Sequence, residues 1–123
     1  MIHLDTNFLI QALVPTSAAE AKLQTWKKDG EALAISSIAW SEFLCGPLTH
    51  NDETLAQILF PEPEPFLASD AQIAAELFNA TGRRSRSLAD CQIAAVARRC
   101  RARMATSNES DFTPFQSQGL LLA

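Results

Sequence analysis

The chain has 123 residues, 47% hydrophobic and 20% charged, and a net charge of −4, a composition that fits one globular domain and excludes a disordered chain. No apolar run approaches the ~20 residues that span a bilayer, and the first residues, MIHLDTNFLI, lack the basic segment and cleavage site of a signal peptide. We therefore expect a single cytoplasmic domain over residues 1–123 that makes no contact with a membrane.

The chain begins with a short apolar segment, residues 1–5, which predicts a buried strand that ends at Asp5. The next predicted element is a helix that begins after Ser17. Ser17 and Glu20 have the spacing of a capping box, and Gly30 is placed to end the helix behind two lysines. The first unit is therefore predicted to be a strand followed by a helix.

A second unit repeats this order. Residues 32–36 predict a strand, and the helix after it begins at Ser36 or Ser37 and ends at Gly46, directly before a proline. Residues 51–60 predict another short helix. Two strand–helix units in succession favour parallel pairing of their strands.

A proline-rich connector, PEPEP at residues 61–65, lies in the middle of the chain and cannot be part of a helix interior or a central strand. After it, residues 66–68 predict a third, short strand. Ser69 and Gln72 fit a capping box that opens a helix, and Gly82 ends that helix.

The last third of the chain begins with the loop RRSRS, which leads to Ser87, the predicted N-cap of a helix over residues 88–101. Residues 104–107 predict a fourth strand and residues 120–123 a fifth. Because strands alternate with helices, we predict an α/β protein whose mostly parallel sheet is covered on both faces.

Polar and acidic side chains follow two of the predicted strands, at the sheet edge where open parallel sheets bind ligands. Asp5 ends the first strand, with Thr6 and Asn7 beside it. Asp111 follows the fourth strand, and Glu109 is its rival for any functional role. Each acid also has an ordinary explanation as a turn or capping residue, so the evidence is their joint placement.

Two further acids lie on predicted helices. Glu42 lies in the middle of SSIAWSEFLCG, on the face that also carries the apolar residues Ile38, Ala39 and Cys45. Either Glu42 turns inward, where a lone carboxylate needs a proton, a cation or a metal ion, or the helix is rotated and Glu42 is solvated. Asp90 lies in the first turn of its helix, where an acid suits the helix dipole and is held toward the sheet edge.

Basic residues are concentrated in one segment, although the net negative charge is weak evidence against a nucleic-acid ligand. Residues 83–103 contain seven arginines and one acid, whereas the rest of the chain has three lysines and thirteen acids. This distribution fits a protein that binds a polyanion and needs carboxylates for another purpose. Arg83, Arg84 and Arg86 are the candidates to bind phosphates; alternatively, they form a solvated loop or contact an acidic partner peptide.

The sequence as a whole resembles the PIN domain family, in particular its VapC-type toxins. The residues that carry the resemblance are LDTN on the first strand, Glu42 after the second strand, SLADCQIAAVA around Asp90, and ATSNESDF after a later strand. The resemblance covers nearly the whole chain and implies a three-layer α/β/α sandwich with a central, mostly parallel sheet. It also implies an endoribonuclease that hydrolyses RNA with Mg²⁺ or Mn²⁺ and serves as the toxin of a toxin–antitoxin pair.

The same resemblance implies roles for single residues and partners. The catalytic metal ligands would be Asp5, Glu42, Asp90 and Asp111, supported by Thr6 and Asn108. Four carboxylates without a thiol or imidazole also suit Mg²⁺ or Mn²⁺ better than zinc. The implied partners are an RNA substrate, an antitoxin protein and a second copy of the chain in a homodimer.

Other functions stay open at this point. A PIN-like module that binds RNA or a partner without cutting would keep the same fold, and the sequence does not distinguish RNA from DNA as the substrate. A receiver-type phosphoacceptor is disfavoured, because the first strand offers only Asp5 and no lysine lies beyond Lys28.

Overall fold

A parallel sheet of four short strands lies at the centre of the protein, in a computed structural model that describes all 123 residues. The strands are β1 (Ile2–Leu4), β2 (Leu33–Ile35), β3 (Arg103–Ala105) and β4 (Leu121–Leu122). The helices are α1 (Thr6–Ala12), α2 (Ala18–Lys28), α3 (Ser37–Cys45), α4 (His50–Leu59), α5 (Ala68–Ala80), α6 (Leu88–Arg99) and α7 (Glu109–Phe112). Two 3-10 helices cover Ser85–Ser87 and Thr113–Gln118.

The strand order is β2-β1-β3-β4, and every pair is parallel. In the register of the sheet, Leu4 lies opposite Ile35 on one side and Ala105 on the other. The carboxyl ends of β1 and β3 therefore finish side by side. This alignment places the residues that follow Leu4 and Ala105 at one point of the sheet edge.

The central strand β1 shows that both faces of the sheet are covered. Its residues Ile2, His3 and Leu4 are at most 1% exposed, although successive side chains of a strand point to opposite faces. Helices α5 and α6 pack against each other, and α1 packs against α2 and α3. The predicted α/β class and three-layer architecture are confirmed.

The predicted helix starts at Ser17 and Ser36 are confirmed. The Ser17 hydroxyl accepts a hydrogen bond from the backbone N–H of Glu20 at 3.0 Å, and the Ser36 hydroxyl accepts one from Ala39 at 3.1 Å. Each bond satisfies an N–H group that the first helical turn leaves without a partner. None of the helices combines the length and apolar composition that a membrane crossing requires.

The structure corrects the prediction around the first strand. Helix α1 was not predicted, because Phe8, Leu9 and Ile10 form a continuous apolar run without the spacing of a helix face. The helix begins at Thr6 because the Asp5 carboxylate caps it, accepting a hydrogen bond from the Phe8 N–H at 2.7 Å.

The predicted third strand at residues 66–68 is wrong. The connector instead makes a single parallel bridge between Glu64 and Ser36, and the sheet has four strands rather than five. Helix α5 begins one residue before Ser69. The predicted Ser69–Gln72 capping box does not form; instead, the carboxylate of Asp70 accepts a hydrogen bond from the backbone N–H of Leu67.

The predicted cap at Ser87 is also different in the structure. Ser87 does precede α6, but its hydroxyl donates to the Arg84 carbonyl at 2.8 Å instead of capping the helix. It thereby closes the 3-10 turn in the arginine-rich loop.

Candidate active site

Asp5 lies at the end of β1 with both carboxylate oxygens held in place. It is 4% exposed, and its Oδ1 accepts the N–H of Phe8 at 2.7 Å. Its Oδ2 accepts the hydroxyl of Thr106 at 2.5 Å. Thr106 follows β3 just as Asp5 follows β1, so adjacent strand ends join these two side chains directly.

Thr106 is a site residue that the sequence analysis did not single out. Its hydroxyl donates to Asp5 and accepts the backbone N–H of Asn108 at 3.0 Å, so it links the first strand to the loop after β3. The predicted strand over residues 104–107 contained Thr106, whereas β3 ends at Ala105; only with this corrected boundary does Thr106, like Asp5, directly follow a buried strand.

Glu42 reaches the same edge from α3. It is exposed, as is Cys45, so the solvated alternative is the one that the structure shows. The hydroxyl of Thr6 donates to the Glu42 carboxylate at 2.8 Å and to the Ala39 carbonyl at 3.2 Å. Thr6 therefore fixes Glu42 next to Asp5, although the two acids come from different elements.

Asp90, in the first turn of α6, is partly buried and lies near the other three acids. Partial burial is the main reason that its pKa is raised to about 7, and the negative charges of Asp111, Glu42 and Asp5 raise it further. Burial also raises the pKa of Asp5, against the lowering effect of its two hydrogen bonds, and Asp111 and Glu42 add to the rise. The four acids thus lie close enough to repel one another.

Asp111, rather than Glu109, belongs to this group. The side-chain amide of Asn108 donates to the Asp111 carboxylate at 2.7 Å, and Ser110 donates to the amide oxygen of Asn108 at 3.1 Å. Asp111 raises the pKa of both Asp5 and Asp90, whereas Glu109 has no part in either shift. Asn108 orients Asp111 as Thr6 orients Glu42.

The four carboxylates fit a hard divalent cation by their chemistry. No three His, Cys, Asp or Glu side chains converge closely enough to hold one ion together. Mg²⁺ takes oxygen ligands but keeps several waters, and one or two protein carboxylates per ion are common. An ion at this edge would therefore complete its shell with water, and its charge would offset the repulsion among the acids.

A cleft of about 720 Å³ opens beside the acids, and the arginine-rich loop forms one of its walls. Arg83, Arg84 and Arg86 line it, together with Asp90 and Asp111. The other two acids do not line this cleft. The cleft, called here the arginine cleft, therefore approaches the acid group from the side of α6 and α7.

The three arginines of this cleft differ in their surroundings. Arg83 has a left-handed backbone, with φ +56°, and its guanidinium donates to Asn79 at 2.5 Å and lies 5.9 Å from the centre of the Phe78 ring. Arg84 and Arg86 are exposed, and neither takes part in the four ion pairs of the protein. Arg83 is anchored to α5, while the other two are available to a ligand.

A second cleft, of about 510 Å³, lies between α1 and the loop after β3. No charged residue lines it. Its main polar side chains are Asn7, Gln11, Ser107 and Asn108, and Ile10 adds an apolar surface. We call it the neutral cleft.

Comparisons with known proteins agree with this architecture. Residues 2–115 match the PIN domain family. Among solved structures, FitAcB from Neisseria gonorrhoeae is 22% identical, with a TM-score of 0.75 over 100% of this chain and 97% of that one. VapBC2 from Rickettsia felis, bound to a promoter DNA fragment, is 22% identical, with a TM-score of 0.74 over 100% and 98%. A toxin–antitoxin complex from Klebsiella pneumoniae is 26% identical, with a TM-score of 0.73 over 91% and 90%. Among curated proteins, none matches the chain.

Proposed function

Since the chain belongs to the PIN domain family, we propose that it is an endoribonuclease that hydrolyses RNA phosphodiester bonds with Mg²⁺ or Mn²⁺. The observation that carries the proposal is the group of mutually repelling carboxylates next to a cleft lined by arginines. Helix capping by Asp5 does not explain why the charges of the other acids lie so close that they help to raise the pKa of Asp5 and Asp90, whereas a bound cation would explain the grouping.

The proposed ion ligands are Asp5, Glu42, Asp90 and Asp111. When bound, divalent ions would activate a water for attack on the phosphodiester and neutralise charge on the leaving oxygen. Three neighbouring residues hold the ligands in position through the hydrogen bonds described above: Thr6, Thr106 and Asn108. Such supporting hydrogen bonds fix the direction from which a carboxylate meets an ion.

The arginine cleft is the proposed path of the RNA strand. The acids alone would repel a polyanion, whereas Arg84 and Arg86 offer unpaired guanidinium groups to the phosphates that flank the cleaved bond. Arg83 holds the loop against α5 through its contacts with Asn79 and Phe78. Its positive charge adds to the attraction for RNA.

We further propose that the protein is the toxin of a toxin–antitoxin pair. The support is its likeness to a toxin–antitoxin complex, which is 26% identical and shares its fold. In this role an antitoxin protein would inhibit the ribonuclease, and the active form would be a homodimer, as the family resemblance implies.

A non-catalytic module that binds RNA or a partner is the second candidate, because no three carboxylates converge on one point.

One experiment tests the ribonuclease and the binding module together. The purified protein is incubated with a pool of structured and single-stranded RNA in Mg²⁺, in Mn²⁺ and in EDTA. We expect metal-dependent cleavage that is lost in Asp5→Ala and retained in Glu109→Gln, a matched acid outside the group. Absence of cleavage by the folded wild type, with Mn²⁺ still bound, would overturn the ribonuclease and favour the binding module.

A further inference from the structure

The neutral cleft is the feature that the proposed function leaves unused. We infer that it binds a nucleobase of the RNA next to the cleaved bond and that the amides of Asn7 and Gln11 recognise the edge of this base. The inference rests on the proposed ribonuclease function and adds to it a site of base selection. It makes Gln11 a specificity-determining residue.

The first step of the argument is the position of the neutral cleft. Asn7 follows the Asp5-Thr6 pair, whose side chains bond to Thr106 and Glu42. Asn108 lines the neutral cleft while its amide donates to Asp111, which lines the arginine cleft. Asn108 therefore connects the lining of the neutral cleft to a member of the acid group, so a base bound in the neutral cleft would lie near the carboxylates.

The second step is the character of the lining. Asn7 and Gln11 are one helical turn apart on α1, so their side chains lie on the same face, and Ile10 lies beside them. Both amides are exposed and make no hydrogen bond within the protein. Ile10 is 41% exposed. Free amides beside an apolar side chain match a nucleobase, which has a polar edge and an apolar face.

The third step is the contrast between the clefts. The arginine cleft carries the charges that bind phosphates irrespective of sequence, whereas the neutral cleft has no cation to hold a phosphate. Its volume of about 510 Å³ falls in the range of about 300–1,000 Å³ that is typical of small-molecule sites and accommodates one nucleoside. The inference therefore assigns phosphate binding to the arginine cleft and base recognition to the neutral cleft.

The test uses labelled single-stranded RNA oligonucleotides that differ in one base at each position in turn. Their affinities are measured in Ca²⁺, which takes the same oxygen ligands as Mg²⁺, and the cleaved positions are then mapped in Mg²⁺. We expect the wild type to prefer one base at one position by about tenfold, as for one bidentate contact between an amide and a base edge. Gln11→Ala should remove this preference in both assays.

Gln57→Ala, which removes an exposed amide from α4 outside both clefts, is the matched control and should keep the preference. Circular dichroism verifies that each variant is folded. Equal base preference in Gln11→Ala and the wild type, or no preference in the wild type, overturns the inference even if the RNA is cleaved. Base-selective binding lost in Gln11→Ala, without any cleavage in Mg²⁺, supports the inference and overturns only the ribonuclease.

Discussion

At the scale of single residues, the hydrogen bond between Thr106 and Asp5 determines how the first acid is presented. The Asp5 carboxylate is nearly buried and accepts two hydrogen bonds, so its orientation does not depend on a bound ion. A ligand held in this way loses less conformational freedom when it binds a metal.

We therefore expect Thr106→Val to lower metal-dependent cleavage by about 10–100-fold, the usual effect of removing a partner of a metal ligand. Thr106→Ser keeps the hydroxyl and should restore most of the activity. Cleavage rates and Mn²⁺ affinity, measured on both variants, check the prediction. Equal activity of the valine and serine variants would show that the hydroxyl has no positioning role.

Partial burial of Asp90, together with repulsion by the other acids, leads to a prediction for this residue. Its raised pKa means that the folded protein holds a proton that the unfolded chain has released, so the metal-free protein loses stability as the pH rises from 3.8 to about 7. Asp90→Asn removes this penalty and keeps the shape of the side chain. We expect it to abolish cleavage and to raise the free energy of unfolding in EDTA at pH 8 by about 1–3 kcal/mol.

Urea denaturation in EDTA and in Mn²⁺ measures both effects, with Glu109→Gln as the control. In the wild type Mn²⁺ should increase stability, and in Asp90→Asn this increase should be small. A variant that is less stable than the wild type in EDTA would contradict the proposed penalty of burial and repulsion on the charge of Asp90.

His3 shows a different cost of burial, because both of its ring nitrogens are buried without a hydrogen-bond partner. Burial lowers its pKa from 6.5 to about 4, with Arg99 lowering it further and Glu64 opposing the shift. Below pH 6.5 the unfolded chain takes up a proton that folded His3 does not. The free energy of unfolding therefore falls as the pH decreases from 6.5 to about 4.

His3→Leu should remove this part of the pH dependence. Between pH 7 and pH 5 we expect the wild type to lose roughly 2 kcal/mol more stability than the variant. Urea denaturation of both proteins at the two pH values gives the difference. Parallel losses in the two proteins would assign the acid sensitivity to other groups.

At the scale of elements, Arg99 joins the end of α6 to the start of α5. Its guanidinium bonds to both carboxylate oxygens of Asp70, at 2.8 and 3.1 Å, to Glu64 at 3.1 Å and to the Pro65 carbonyl at 2.9 Å. Asp70 is 1% exposed, and the guanidinium of Arg99 is the cation paired with its buried carboxylate. Helix α6 also carries Asp90 at its other end. By fixing the position of α6, the contacts of Arg99 therefore help to fix the position of Asp90.

We expect Arg99→Met to lower the free energy of unfolding by about 3–5 kcal/mol, because it leaves the charge of Asp70 buried and unpaired. The double variant Arg99→Met/Asp70→Asn removes that charge and keeps an acceptor for the Leu67 N–H, so it should recover more than half of the loss. Denaturation of the wild type, both single variants and the double variant measures the energetic coupling between Arg99 and Asp70. If the two single substitutions lowered the free energy of unfolding additively in the double variant, this coupling would be contradicted.

The elements also show what the sequence could predict. Helices with a serine cap, at Ser17 and Ser36, were predicted within one or two residues because the cap and the helix face agree locally. The helix after Asp5 could not be recognised from the sequence. Its start depends on the Asp5 carboxylate, and the sequence pattern indicated only that Asp5 ends the first strand. The wrongly predicted strand at residues 66–68 is an apolar run. In the structure Phe66 packs against the hydrophobic core, and the segment does not pair with a strand.

For the candidate site, sequence position was sufficient to place the acids but not to orient them. Asp5 was expected at a strand end, where the structure has it, and Asp111 was expected after the fourth strand, where the structure places it in the short helix α7 that follows β3. The exposure of Glu42 and the role of Thr106 depend on how helices and strands pack, since the bonds that hold them span 36 and 101 residues. Such contacts leave no local pattern in the chain.

At the scale of the whole molecule, charge is divided between an acidic body and one basic segment. The arginines that line the arginine cleft belong to the basic segment, residues 83–103, and two members of the acid group, Asp90 and Asp111, line the same cleft. For a polyanion, the strength of this attraction should depend steeply on ionic strength, because each bound phosphate releases counterions.

We predict that the double variant Arg84→Ala/Arg86→Ala flattens the dependence of log K on log[salt] for single-stranded RNA by about 1.4, or roughly 0.7 for each lost phosphate contact. Arg101→Ala, an exposed arginine beyond the end of α6, should leave the slope unchanged. Fluorescence anisotropy over a range of salt concentrations measures it. An unchanged slope in the double variant would remove the arginine cleft from the RNA path.

The pairing of β1 with β3 has a consequence for biosynthesis. Asp5 leaves the ribosome before its partner Thr106 and the fourth acid, Asp111, both of which are synthesised more than a hundred residues later. The nascent chain therefore emerges with an incomplete set of acids and without the neighbouring strand that aligns Asp5. In the proposed ribonuclease, the acid group therefore stays incomplete until Asp111 has been synthesised, and we expect a product truncated before Thr106 to lack cleavage activity.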